Sequence, residues 1–369
     1  MDQQLDAYQQ EFHDKYGVRT DLAVEAHEVI VEREGPPEIP GVIVNNEHTE
    51  HANICRVTIE SELGARMMGK APGHYSTIEA PALRQHNRDV HQQIGELLAK
   101  EIKWFIEQSQ LGPEAVILVV GLGNWNATPD ALGPKVVEEL MVTRHLIQLS
   151  PPELRKGLRQ VAAIAPGVLG LTGIETGEII RGVVSEVKAD AVICIDALAS
   201  RSVSRLGCTI QISDTGINPG AGVGNKRMAI NQETLGIPVL AIGVPTVVHA
   251  STIVSDALDI IGGEDPDRKL QAEEMPQKTS FSVDPQAIMG SAAPPKAENE
   301  QPQAMPSSMP REQKRQMINQ VLEPYMGSLI VTPKEVDELI NDIANVIAGG
   351  LNSAFHEGVD YDEIFKYLS

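Results

Sequence analysis

Aromatic residues make up only 4% of this 369-residue chain. A surface that grips single-stranded nucleic acid needs rings for its bases to stack on, so that reading loses its chemistry at once. Basic residues are also scarce: 30 Lys and Arg stand against 51 Asp and Glu, a formal net charge of −21. Phosphates would be repelled, which excludes a broad nucleic-acid contact. Three cysteines, Cys55, Cys194 and Cys208, are an odd number, and two lie in apolar strand-like runs. Buried thiols in a reduced, cytoplasmic compartment follow. No apolar run approaches membrane-spanning length. The polar start, MDQQLDAYQQEFHDKYG, lacks the charged-then-apolar profile of a signal peptide. The expectation is a soluble intracellular protein with no membrane or nucleic-acid partner.

What the chain does have is 42% hydrophobic residues, enough for one large core or two smaller ones. The organising stretch is AVILVVGLGNWNATPDALGP at 115–134. Its unbroken, β-branched opening reads as a strand buried on both faces. Gly121 and Gly123 allow a tight turn, and Pro134 suits the first turn of a helix striped by Val136, Val137, Leu140 and Met141. The same alternation continues: a strand at 161–165, a helix marked by Ile179, Ile180, Val183, Val184 and Val187, then the strand AVICI at 191–195 ending at Asp196. Further strands are expected at 41–44, 55–60, 208–212 and 238–244, and an amphipathic helix at 89–108. Strands alternating with helices predict an α/β fold, a three-layer sandwich around a mostly parallel sheet.

Residues 264–310 hold eight of the 24 prolines with few large aliphatics, the composition of an exposed, poorly ordered insertion. Thr332-Pro333-Lys334-Glu335 has the form of a capping box. It leads into a helix striped by Val336, Leu339, Ile340, Ile343 and Ile347, which Gly349-Gly350 should end or loosen. The expected organisation is residues 1–16 as a separable segment, a core over 17–263, a Pro-rich insertion over 264–320, and a helical tail over 321–369 docked on the core.

Two acids stand where strands end. Asp130 lies in the loop after one buried strand, and Asp196 ends another. Parallel neighbours would bring both to one sheet edge, the usual place for function in such folds. Two close carboxylates cannot both ionise cheaply; one keeps a proton, and the pair can activate a water while donating to a carbonyl. Equally, Asp130 suits a helix cap and Asp196 a turn. The glycine-rich stretch at 218–227 suits an oxyanion nest, a mobile loop or a plain connector. Gly121-Leu122-Gly123 lacks the third glycine of a dinucleotide fingerprint, since Asn126 stands there. His48 with His51, and His86 with His91, lack the helical spacing of a metal motif, and no G-x-S-x-G elbow surrounds Ser200, Ser202 or Ser204. Neither metal nor cofactor is expected.

Together the blocks RTDLAVEAHE at 19–28, GLGNWNATPDALGP at 121–134, APGVLGLTGIET at 165–176, IDALASRS at 195–202, DTGINPGAGVGNKR at 214–227 and GVPTVV at 243–248 closely resemble the spore germination proteases of endospore-forming bacteria. That resemblance implies an endopeptidase that degrades small acid-soluble spore proteins in the spore core early in germination. It also implies a zymogen that removes a short propeptide by self-cleavage, a homotetramer, and a fold similar to hydrogenase maturation peptidases. The family's catalytic aspartates fall on Asp130 and Asp196. Processing is expected near Tyr16-Gly17, which makes residues 1–16 a propeptide. Asn124 and the amides of Gly220, Gly222 and Gly224 are candidates for oxyanion stabilisation, and Lys226 and Arg227 for attracting acidic substrate side chains. A metal-dependent peptidase using the same carboxylates, and a non-catalytic anion- or nucleotide-binding regulator, are the competing readings.

Overall fold

Among the described residues nine strands form one sheet, in the order β1-β2-β3-β7-β8-β6-β4-β5, with β9 pairing off β8. The computed structural model describes residues 2–16, 20–34, 39–149, 157–218, 228–250 and 329–357, with isolated positions between them. Gly17, the loop residues Gly220, Gly222, Gly224, Lys226 and Arg227, and nearly all of 264–320 lie outside the described residues. The strands are β1 (Val42–His48), β2 (Asn53–Ile59), β3 (Gly73–Glu79), β4 (Ile117–Gly121), β5 (Val161–Ile164), β6 (Ala191–Ser200), β7 (Thr209–Ser213), β8 (Val239–His249) and β9 (Ile330–Val331). The helices are α1 (Asp2–Tyr16), α2 (Ala23–Glu34), α3 (Glu62–Met68), α4 (Arg88–Gln108), α5 (Leu132–Glu138), α6 (Arg144–Leu149), α7 (Leu169–Thr172), α8 (Thr176–Val187), α9 (Gln232–Leu235) and α10 (Val336–Phe355).

The α/β class and the layers are as expected, but the sheet is mixed rather than mostly parallel. β5, β4, β6 and β8 run parallel, while β1, β2, β3 and β7 join them antiparallel. The reason is local. Residues 49–52 make a tight turn, closed by the Thr49 amide donating to the Ala52 carbonyl at 2.9 Å, and so short a connection can only reverse the chain. In the parallel half every residue of β4 is buried, as strands covered by helices on both faces must be.

One face carries the larger core, where Ile117, Val119, Ile193, Ile195 and Ile242 meet Phe105 of α4, Leu132 and Val136 of α5, and Ile343 and Ile347 of α10. On the other face Leu118, Val120, Val192 and Cys194 pack on Ile180 and Val184 of α8. The successive residues of β4 and β6 thus feed opposite layers. A third cluster joins Phe12 of α1 and Val29 and Ile30 of α2 to Val57, Ile59 and Tyr75 of the antiparallel half. Glu101 of α4, 6% exposed, accepts from the Ser76 hydroxyl at 2.6 Å and from two Arg56 nitrogens. Its buried charge is therefore compensated.

Three local expectations are corrected. β6 does not stop at Asp196 but runs on to Ser200, because β8 extends beside it to pair Ser200 with Val248. α10 passes straight through Gly349-Gly350. A Cβ on Gly350 would lie 3.0 Å from Leu98 Cδ2 and 3.1 Å from the Gly95 carbonyl oxygen, so glycine there lets α4 and α10 approach closely. The capping box does not form: Glu335 is the N-cap of α10 without a side-chain bond, and the Thr332 hydroxyl donates to the Thr246 carbonyl at 3.0 Å instead.

Candidate active site

β4 and β6 are parallel neighbours, with Gly121 opposite Ile195. Asp130 comes from the loop leaving β4 and Asp196 from the next position of β6. The β4 loop is folded back onto β6 by backbone bonds. The Leu122 amide donates to the Ile195 carbonyl at 2.8 Å, and the Asn124 amide to the Asp130 carbonyl at 3.0 Å. Gly123 sits at φ +115°, and any Cβ there would overlap the Asp130 carbonyl oxygen, so only glycine lets the loop close this tightly. From β8 the Thr246 hydroxyl donates to the Pro129 carbonyl at 2.7 Å. The short turn Thr128–Asp130 is thereby clamped between two strands.

Asp130 and Asp196 line one cavity of about 490 Å³. Asp130 is half-buried and Asp196 is 8% exposed. The N-cap of α5 is Ala131, not Asp130, while one oxygen of Asp196 accepts the Ala197 amide at 2.9 Å. Asn124 takes a different part: its side-chain oxygen accepts the Asn126 amide at 3.0 Å, fixing the loop rather than lining the cavity. Burial, with the Asp196 charge adding to it, pushes the Cys194 thiol up. All three cysteines are free thiols. His86 bonds Asp342 and His48 bonds Asn53.

Sequence reasoning missed several residues of the wall. Asp21, Lys70, Tyr75, Gln211 and Thr246 line the cavity, as do Leu5 and Gln9 of α1. Asp21 precedes α2 and Lys70 follows the left-handed turn at Gly69, φ +60°. Asp21 lies within the RTDLAVEAHE block, the one signal that pointed to it. Lys70 lies in an unpatterned GKAPG run and gave none. α1 is held beside the cavity by the Tyr8 hydroxyl donating to Glu62 at 2.7 Å, by a two-point ion pair of Arg66 with Glu11, and by buried Phe12.

No helix among the described residues is long and apolar enough to cross a membrane. A protein-family model described as "Germination protease" matches residues 23–368. Curated germination proteases from Bacillus mycoides (strain KBAB4) and Bacillus cereus (strain AH187) are each 48% identical to this chain over 376 aligned positions, covering 96% of it and 97% of their own length. Among solved structures, the [NiFe] hydrogenase maturation protease HycI from Thermococcus kodakarensis KOD1 is similar over 38% of this chain and 80% of its own, at 22% identity and a TM-score of 0.26. With a family model spanning most of its length and relatives at this identity, the chain belongs to the germination protease family and is a peptidase.

Proposed function

We propose that this peptidase is a spore-core endopeptidase that opens the degradation of small acid-soluble spore proteins during germination, with Asp130 and Asp196 as its catalytic pair. The observation that carries the reading is that both acids, 66 positions apart in the sequence, line one cavity beside adjacent parallel strands. In the mechanism the two carboxyls share one proton. The ionised member takes a proton from the bound water as it attacks the scissile carbonyl, and the protonated member donates to the carbonyl oxygen. Collapse of the tetrahedral intermediate then returns a proton to the leaving amine. Backbone amides of the glycine-rich loop stabilise the oxyanion, and Lys226 and Arg227 draw acidic side chains of the substrate towards an otherwise repulsive surface.

Residues 1–16 are the propeptide in this reading, removed by self-cleavage near Tyr16-Gly17 where α1 ends. The placement of Leu5 and Gln9 in the cavity wall supports a segment that obstructs substrate until it leaves. The processed chain works as a homotetramer. In the test, Asp130→Asn and Asp196→Asn are each assayed against a small acid-soluble spore protein, with thermal melting alongside. Each should lower the rate by about 10³-fold or more at an unchanged melting temperature; robust cleavage by either variant rules the pair out.

A further inference from the structure

The cavity wall contains a cation and a third acid that the two-aspartate chemistry does not use. Among the described residues lining the cavity, Asp21, Asp130 and Asp196 are acids and Lys70 is the cation. Lys70 is 8% exposed, a rare position for an ammonium unless something compensates it. Its Nζ donates to the Thr20 carbonyl at 2.8 Å; burial pulls its pKa below the usual lysine range, and the acids Asp21 and Glu25 oppose that fall.

Asp21 is held as firmly. A carboxylate oxygen accepts the Ala199 amide of β6 at 3.1 Å, three positions beyond Asp196 on the same strand. Its backbone carbonyl accepts from Gln211 Nε2 at 3.1 Å, and the other end of that amide accepts from the Ala23 backbone at 2.7 Å. The surface Asp21 retains is in the cavity wall, and desolvation raises its pKa while Lys70 opposes the rise. The remaining charged neighbours are accounted for. Glu25 and His249 face Asp21. Glu25 accepts the Arg201 amide and lies 3.4 Å from Arg205 Nη1. Tyr75 is kept as the neutral phenol by burial.

We infer that Lys70, fixed by the Thr20 carbonyl beside Asp21, is the positioning cation of the peptidase site, setting the charge balance in which Asp130 and Asp196 share their proton. The inference rests on the preceding reading that this cavity is where peptide bonds are cleaved. Without a positive charge, three acids around one cavity would repel one another and take up protons at a higher pH. With Lys70 present and Asp21 offsetting part of it, an ionised carboxyl persists at a lower pH. Lys70 need not touch the substrate for this.

The test is the pH profile of kcat for the self-processed protein acting on a small acid-soluble spore protein. Lys70→Met should move the acidic limb up by about one pH unit, and Asp21→Asn should move it down by about half that. The double variant should lie between the two, about half a unit above the unaltered protein, and Lys70→Arg should keep its limb. Opposite signs are the signature, because a merely structural role lowers rates without moving the limb in either direction. Should Lys70→Met fail to fold by thermal melting, Asp21→Asn decides alone. Shifts of the same sign, or none, overturn the inference when Asp130→Asn and Asp196→Asn are inactive. Activity in those two variants overturns instead the reading on which it rests.

Discussion

Replacing His356 by glutamine should flatten the acid sensitivity of folding by an amount the structure specifies. His356 follows the last turn of α10 and is 1% exposed. Its Nδ1 accepts the Arg159 amide at 3.3 Å, while Nε2 is buried with no hydrogen-bond partner. Burial lowers its pKa from 6.5 to about 4, with the Arg159 charge adding to the effect and the Met141 backbone opposing it. Below pH 6.5 the unfolded chain therefore binds a proton that the folded chain refuses until about pH 4. The stability in question is present in full above 6.5 and is lost progressively as the pH falls from there to about 4. A difference of about 2.5 units corresponds to about 3 kcal/mol, of which about 2 kcal/mol is gone by pH 5. Glutamine keeps an acceptor for the Arg159 amide and does not titrate. Urea unfolding of both proteins at a series of pH values between 7.5 and 4.5 isolates the contribution of His356, since all other groups cancel. A wild-type minus variant difference that stays constant with pH to within about 0.5 kcal/mol would refute the reasoning.

Two further substitutions probe the site. Gly123→Ala forces a Cβ into the Asp130 carbonyl at φ +115°, costing about 1–3 kcal/mol; by displacing Asp130 it should cut kcat by at least about 10²-fold, and a wild-type rate would show that the loop position is unimportant. Phe12→Ala removes the 5% exposed anchor of α1, weakening its docking by about 3 kcal/mol. Limited proteolysis should then cut α1 sooner and protein cleavage should rise, whereas an unchanged or slower rate would count against α1 as an obstruction.

Much of the parallel half was legible because doubly buried strands have little freedom in composition. ILVVG and AVICI could be little else, and their adjacency placed Asp130 and Asp196 at one edge. The antiparallel half was harder. β3, GHYSTIE, shows no clean alternation, and two of its polar residues are buried: Ser76 against Glu101 and Thr77 at 0% exposure. The extension of β6 past Asp196 was hidden for another reason: DALAS lacks strand propensity and is held by pairing with β8, a contact between distant segments. Gly349-Gly350 misled because glycine opposes a helix locally but permits close packing of two. That Asp21 and Lys70 share one cavity wall was unreadable in the same way, since it exists only once α2, α3 and β6 converge.

The turn at Gly69 ties the first helix to Lys70. A Cβ there would lie 2.8 Å from the Cβ of Phe12, so the first helix rests directly on bare backbone, and the next residue along is Lys70. Cover and charge thus share a single joint. Under the proposed propeptide role of the first helix, its departure would unload the bend that precedes Lys70, so clearing the cleft and retuning its acids would be one mechanical event rather than two.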